Sequence, residues 1–332
     1  MMDESIDEVV IPVNPVTTET VVGKTRRFSS LHTMEILFLT VSILNLLATV
    51  GLTVYRLYVV ISSDPKSADF TFCILLLVNA AFCVFYVIHG LVRERIYELY
   101  ALIAALVAVV IYCVVEYSVN AEGRTTVKLI RLIAACVLVP LNIGLAVAVA
   151  REFGFLEFRI VGASAAFQYM YRQAALFSCL LKFDLNVNFS FIVLALQDGT
   201  NLSVLEVVTL ATGLPYSLLW VIMGWVAMRK ELQWLIWVFA VLSILTPAYV
   251  IYKIVFIYNQ DFTAIQSNLK VIEFASLAVG ALSLIVRFVL LCELVVVYRN
   301  FGKGLKQRAF GDDSSESTGL LAGLKKERSY NT

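Results

Sequence analysis

Apolar runs of about 20 residues recur through most of this chain, with only short polar gaps between them. A helix of about 20 apolar residues crosses the roughly 30 Å hydrocarbon layer of a bilayer. Of the 332 residues, 60% are hydrophobic and 15% are charged, against about 45–50% apolar residues in soluble domains. We therefore predict an all-α fold, a polytopic transmembrane helical bundle whose main solvent is the lipid bilayer.

The runs divide the chain into one membrane domain at 34–300, a polar amino-terminal tail at 1–33 and a disordered carboxyl-terminal tail at 301–332. We predict about eight spans. Their predicted bounds are 36–61, 70–92, 96–118, 129–150, 172–197, 203–228, 233–257 and 271–298.

The fifth run is marginal by itself. Its 13 Leu, Ile, Val and Phe residues contribute roughly −4 to −8 kcal/mol on an insertion scale, whereas Lys182 and Asp184 cost about +5 to +7 kcal/mol. The positions of Lys and Arg in the loops nevertheless indicate that this run crosses the membrane, because these residues favour the cytoplasmic side. With eight spans, 13 basic residues fall on the side of both termini: Lys24, Arg26, Arg27, Arg93, Arg95, Arg151, Arg159, Arg229, Lys230, Arg299, Lys303, Lys306 and Arg308. Lys66, Arg124, Lys128 and Lys270 fall on the other. Both termini are therefore predicted to be cytosolic.

A shift of 136 positions lays spans one to three near spans five to seven, and the turns at 92–94 and 228–230 coincide. A 4+4 repeat of this kind has two parallel halves related by an axis along the membrane normal, as in some transporters. Evenly spaced helices would give much the same register without duplication. The repeat is thus a hypothesis.

Polar and apolar residues alternate through the middle of the fifth span, from Lys182 to Ser190. On a helix, positions two apart lie 200° apart, so Lys182, Asn186 and Ser190 form one stripe and Asp184 and Asn188 another. This helix is expected to be central, with its two charges near the bilayer midplane. Span eight offers Arg287 and Glu293 as partners, and we predict that Asp184 pairs with Arg287.

Two interpretations of this polar cluster stay open. Intramembrane ionisable groups commonly line a water-filled path or bind a solute or ion, which favours a transporter or channel-like protein for a small polar solute. Alternatively, the interior charges are structural: an ion pair fixes helix packing, or the lysine reaches toward an interface. The protein is then a non-transporting adaptor or assembly factor whose tails recruit cytosolic partners.

Other ionisable residues fall near the extracytoplasmic ends of spans, where snorkelling suffices, and we predict that they anchor the helices at the interface. They are Arg56, Glu116, Arg131, Glu206, Lys253 and Glu273. Prolines at 140, 215 and 247 lie inside spans four, six and seven, where each frees a backbone carbonyl and favours a kink.

No enzyme signature is present. All six cysteines lie inside apolar runs, and the two histidines, His32 and His89, belong to no cluster with metal-ligand spacing. We therefore expect no cofactor and no metal. We also expect no nucleic-acid partner, because a net charge of only +1 provides no basic excess. An intramembrane enzyme would have to use Lys182 and the carboxylates that lie inside the spans, such as Asp184 and Glu293.

The tails carry three short motifs. Glu316 with Leu320 and Leu321 resembles the acidic dileucine signal that clathrin adaptors bind, so endosomal or lysosomal membranes are the first expected location and the plasma membrane the next. In Arg26-Arg27-Phe28-Ser29 the serine has the spacing that basic-directed kinases select, although the two arginines are also explained as a determinant of membrane orientation beside an incidental serine. Asn201 begins a glycosylation sequon in a loop predicted to be lumenal.

Overall fold

The computed structural model describes residues 17–20, 23–26, 31–63, 68–119, 126–194, 204–258 and 267–310. Two short antiparallel strands, β1 Thr17–Thr20 and β2 Gly23–Arg26, precede the bundle, and β2 contacts the second helix. The helices are α1 Thr33–Ser63, α2 Ala68–Arg93, α3 Ile96–Val119, α4 Thr126–Glu152, α5 Phe155–Val161, α6 Ala165–Val193, α7 Val204–Lys230, α8 Gln233–Leu242, α9 Leu245–Tyr258, α10 Ser267–Arg299 and α11 Leu305–Phe310.

Eight spans in the described part of the chain are long and apolar enough to cross a membrane, with α8 and α9 counted as one. The predicted eight-span helical bundle is therefore confirmed. The outer helix faces carry large apolar side chains, such as Leu219 at 67% and Phe288 at 69% exposure. In a bilayer these faces contact lipid, so they need no protein partner.

The spans form two four-helix groups. In the first half, α1 to α4, each helix contacts the next and α4 returns to α1. In the second half, α6 to α10, α7 lies between α6 and α8, and α10 contacts both α9 and α6. The halves meet where α6 packs against α2 and α3. The two large apolar cores follow the same division, and α6 contributes to both, through Cys179 in one and Phe177 in the other.

Helix α6 is the most enclosed span. In its most apolar 18-residue stretch 67% of the residues are buried, against 17–44% in the other seven spans. The central position expected from its polar residues is thus what the structure shows. Its bounds differ from the predicted 172–197, because the helix begins at Ala165, seven residues before the apolar run, and ends at Val193.

The seventh span is broken into α8 and α9 by a turn at 243–244. Pro247 explains the position of this break: its ring clashes with the carbonyl of residue 243, and it has no N–H to donate to that carbonyl. The proline itself sits in the first turn of α9, where it is tolerated. Helices α4 and α7 run without interruption through Pro140 and Pro215.

Gly224 brings α7 close to its neighbours. A Cβ atom at this position would lie 2.5 Å from Cε2 of Phe239 on α8 and 3.0 Å from Cδ2 of Leu181 on α6. A Cβ at Gly144 on α4 would meet no atom within 4 Å. Glycine at 224 is therefore a packing requirement of the second half.

The chain past residue 300 contains structure that the sequence did not predict. Residues 301–332 were expected to be a disordered tail, but α11 packs against α5, α6 and α7. Glu231, in the turn between α7 and α8, accepts hydrogen bonds from the backbone N–H of Gly302 at 2.9 Å and of Lys306 at 3.2 Å. Leu305 is buried in the second core. These tertiary contacts hold a segment whose own composition is polar.

Candidate functional site

Two charged clusters lie on opposite sides of α6. Lys182 faces α2 and α3 of the first half, whereas Asp184 faces α10 of the second. The 200° between positions two apart on a helix dictates this division. One helix therefore carries a buried cation directed to one half of the bundle and a buried anion directed to the other.

The predicted contact between Asp184 and Arg287 forms. Arg287 Nη2 donates to Asp184 Oδ2 at 2.8 Å, and the two side chains are 3% and 0% exposed. Asn188 Nδ2 donates to the same carboxylate oxygen at 2.7 Å, and Ser283 Oγ donates to Asn188 Oδ1 at 3.2 Å. Arg287 Nη2 also donates to Thr246 Oγ1 at 3.2 Å. The second stripe of α6 is thus joined to α9 and α10.

An aromatic stack supports the guanidinium. Its central carbon lies 3.7 Å from the ring centroid of Trp220, and that ring stacks on Phe239 at 4.1 Å between centroids. Trp220 Nε1 donates to the carbonyl of Phe239 at 3.2 Å, which fixes the indole. A guanidinium is weakly hydrated and binds aromatic faces well, so this wall compensates part of its desolvation. The wall covers one face and leaves the edges of the guanidinium for hydrogen bonding.

Several polar atoms of this cluster have no hydrogen-bond partner among the described residues. They are Asp184 Oδ1 and Arg287 Nε and Nη1. A buried polar group without a partner is unfavourable by about 1–3 kcal/mol, and more if it is charged. The cluster therefore offers one carboxylate acceptor and two guanidinium donors to anything polar that enters.

The helix break lies beside this cluster. Thr246, which accepts from Arg287, is the second residue of α9, so the guanidinium sits at the amino-terminal end of that helix. Tyr216 on α7 donates its hydroxyl to the carbonyl of Leu242, the last residue of α8, at 2.7 Å. The two dipole ends of a broken helix thus adjoin a buried charge.

Lys182 belongs to the second cluster. Its ammonium group donates to Glu98 Oε1, and Glu98 Oε2 contacts His89 Nδ1. Arg95 Nη1 lies 3.8 Å from Glu98 Oε1, and the Lys182 ammonium lies 5.4 Å from the ring centroid of Phe85. Glu98 is fully buried. The carboxylate therefore balances an imidazole from α2, a guanidinium from the turn at 94–95 and an ammonium group from α6.

This placement corrects the expected depth of Lys182. His89 lies one turn before the end of α2, and Glu98 lies in the first turn of α3. Side chains on a helix tilt toward its amino terminus, so Lys182 reaches back toward this end of the bundle instead of staying at the midplane. Sequence reasoning missed Glu98 and gave His89 no role, although both residues lie within about one helical turn of the short connection at 94–95.

A family model described as "Domain of unknown function (DUF7789)" matches residues 22–151 and 161–296, well over half of the chain. The chain belongs to the DUF7789 family. The matched segments cover the first half of this DUF7789 member and most of its second half. No curated protein and no solved structure matches the chain. The chemistry of this DUF7789 member must therefore be argued from its own residues.

The remaining predicted residues lie apart from the cluster or outside the described residues. Glu293 is six positions along α10 from Arg287, and no ion pair joins it to the described residues. Asn186 Nδ2 donates to Asn79 Oδ1 on α2 at 3.3 Å. Ser29, Asn201, Glu316, Leu320 and Leu321 are outside the described residues. Within the described ranges, no three His, Cys, Asp or Glu side chains form a group that could hold a metal ion.

Ionisable residues at the opposite end of the bundle do not all behave as surface anchors. Arg56 Nη2 lies 2.5 Å from Asp69 Oδ2, and Lys128 Nζ lies 3.0 Å from Asp69 Oδ1. Arg131 and Glu273 are buried, with 6% and 3% exposure. For Arg131 and Glu273, simple anchoring at a lipid interface was therefore the wrong interpretation, because neighbouring helices enclose both side chains.

Proposed function

We propose that this protein transports a small polar solute or ion across its membrane, through a site centred on Asp184 and Arg287. One observation carries the proposal: in a buried ion pair inside an apolar helical bundle, three atoms of the charged groups have no hydrogen-bond partner among the residues that the structure describes. Ionisable groups inside membrane segments are expensive, and they commonly mark the path of a solute or ion.

The break between α8 and α9 supports this function. Secondary transporters commonly place their sites at interrupted helices, whose exposed ends and backbone groups contact the solute. Here Thr246 at the start of α9 contacts Arg287 directly. Solute binding can therefore be relayed to a span that already has a hinge.

The two-half arrangement also supports a transporter. The neighbour order is alike in both halves, and the family model divides the chain at 151 and 161, close to the boundary of the hypothesised 4+4 repeat. Parallel repeats related by an axis along the membrane normal occur in transporters that rock one half against the other. The Lys182 cluster lies at the contact between the halves, so such a motion would change the distances within it.

Flux into proteoliposomes tests the proposal. The full chain is reconstituted and assayed by counterflow with sodium L-lactate, glycine, D-glucose and potassium ions. Asp184→Asn and Lys182→Met are each expected to reduce flux of the transported solute at matched protein content. Glu157→Gln, which removes one member of an ion pair whose arginine is 59% exposed, is the control and should retain flux. Unchanged flux in both site variants would refute the assignment.

A non-transporting adaptor or assembly factor is the second candidate. The direct pairing of both α6 charges favours it, because Asp184 with Arg287 and Lys182 with Glu98 form buried ion pairs that can specify helix packing without a ligand. Stable co-purification of a partner, with no flux of any of the four probes, would select this function.

The expected location follows from the tails. We propose that both termini are cytosolic and that Glu316, Leu320 and Leu321 direct the protein to endosomal or lysosomal membranes through clathrin adaptors. Replacing both leucines with alanine should increase the surface-biotinylated fraction of the protein. Unchanged surface labelling would leave the plasma membrane as the preferred location.

A further inference from the structure

We propose that the Asp184–Arg287 site binds a small monocarboxylate anion together with one proton, the proton on Asp184 and the anion on Arg287. This inference rests on the proposed transport function and names its substrate class. It follows from the charge balance of the site and from three buried atoms that have no hydrogen-bond partner among the described residues: two guanidinium nitrogens of Arg287 and one carboxylate oxygen of Asp184.

The charge balance of the site couples a bound anion to a bound proton. In the structure Asp184 and Arg287 neutralise each other at 2.8 Å, almost fully buried. When the carboxylate takes a proton from water and forms a carboxylic O–H, Arg287 becomes a buried cation without a counter-ion. Such a charge is strongly unfavourable in a low-dielectric interior. A bound anion restores neutrality, so proton and anion binding reinforce each other.

The hydrogen-bonding pattern fits this exchange. Asp184 Oδ2 already accepts from Arg287 and Asn188, whereas Oδ1 has no partner among the described residues and is therefore the oxygen open to a proton. Arg287 Nε and Nη1 are donors without described acceptors. A carboxylate accepts N–H donors from a guanidinium in its plane, which suits an approach along the edges that Trp220 does not cover.

Other charged groups around the pair do not replace Asp184. Arg287 comes from α10 and Thr246 from α9, and from α7 Tyr216 faces both charges but donates its hydroxyl to Leu242. On α6 itself, Lys182 turns away to Glu98 and His89. Among the described residues, Asp184 is thus the one carboxylate in contact with Arg287.

The same balance selects against other substrate classes. One arginine neutralises one negative charge, so a divalent anion would leave net negative charge in the site. A cation would be repelled by the positive charge of Arg287. A zwitterion bridging both groups would have to separate a pair that is in direct contact. A monocarboxylate with one proton leaves the site neutral.

Binding of sodium L-lactate to the purified full chain tests the inference, with sodium chloride and glycine as comparison probes. Lactate should raise the apparent Tm more at acidic than at neutral pH. Where Asp184 is mostly ionised, the lactate Kd should rise about tenfold per pH unit, because one proton binds with each anion. Equal stabilisation by chloride, stabilisation by glycine instead, or a lactate Kd independent of pH would overturn the proposal.

Variants identify the residues. Asp184→Asn mimics the protonated carboxyl and should bind lactate with little pH dependence, and lactate should raise its Tm more than that of the wild type. The double variant Asp184→Asn with Arg287→Gln is neutral, so it should fold even where the single variant does not, and it should lose lactate binding. Glu157→Gln, outside the site, should match the wild type. Lactate binding that persists in the double variant would refute the site.

Flux separates the failure of this inference from that of the transport proposal. Site-dependent counterflow of glycine, glucose or potassium ions without lactate would overturn the carboxylate assignment and leave transport standing. Proton-linked lactate binding that requires Arg287, with no flux of any probe, would support the binding site and overturn transport. Lactate uptake with co-uptake of one proton, both lost in the double variant, would support both.

Discussion

Loss of the buried charge on Asp184 gives the sharpest test of the packing of this bundle. Asp184→Asn keeps the shape of the side chain but leaves Arg287, 2% exposed, without its counter-ion. Breaking a buried ion pair by neutralising one partner typically costs 3–5 kcal/mol. We expect about 3 kcal/mol here, at the lower end, because Thr246 and the Trp220 ring still contact the guanidinium.

The pair between Arg172 and Glu157 provides the matched comparison. Arg172 Nε lies 2.8 Å from a carboxylate oxygen of Glu157, the same chemistry, but the arginine is 59% exposed. Water replaces the lost partner there, so Glu157→Gln should cost about 0–1 kcal/mol. The contrast between the two variants isolates burial from pairing.

Reversible unfolding in bicelles, at neutral pH and without added carboxylate anions, measures both free energies. The double variant Asp184→Asn with Arg287→Gln should recover most of the loss, since it removes the uncompensated charge. If Asp184→Asn proves no more harmful than Glu157→Gln, Arg287 is hydrated in the membrane, and the argument from a sealed pair is refuted.

Three further predictions use other contacts. Gly224→Ala should destabilise the protein by about 1–3 kcal/mol through overpacking against α8, whereas Gly144→Ala should be neutral or stabilising; equal Tm values for the two variants would contradict this packing. Pro247→Ala supplies an N–H for the carbonyl of Ser243, so it should raise the apparent Tm while slowing flux, and unchanged flux would show that the break is not a hinge. Lys182→Met should destabilise the protein less than Asp184→Asn, because Glu98, the partner of Lys182, keeps His89 and Arg95 as neighbours. Urea or SDS titration of both variants ranks their free energies of unfolding.

The span count could be predicted because membrane thickness fixes the length of an apolar helix. The central place of α6 followed from Lys182, Asp184 and the two asparagines, which lipid would not tolerate. Its pairing with Arg287 was predictable because span eight offered an arginine well inside its apolar run. These inferences depend on which side chains the lipid bilayer excludes, and the polarity of each side chain can be read directly from the sequence.

Features that depend on tertiary geometry were harder to predict. The contact of Lys182 with Glu98 requires knowing that α6 packs against α2 and α3, which no periodicity reveals. Glu98 looked like an ordinary first-turn residue of span three. The break at 243–244 follows from Pro247, yet Pro140 and Pro215 lie in uninterrupted helices, so proline alone does not decide where a span breaks.

The spacing of Lys182 and Asp184 ties the two halves of the bundle to one helix. Because the two side chains diverge by about 200°, α6 holds an ion pair with each half at once. A rotation of α6 or a shift of one half must therefore strain at least one pair, and both are buried. Neutralising Asp184 with a proton and a bound anion would loosen the link to α10 while the link to Glu98 persists. Loss of charge at Asp184 would then allow one half of the bundle to move against the other. Transport requires such a movement, whereas an ion pair with a purely structural role does not.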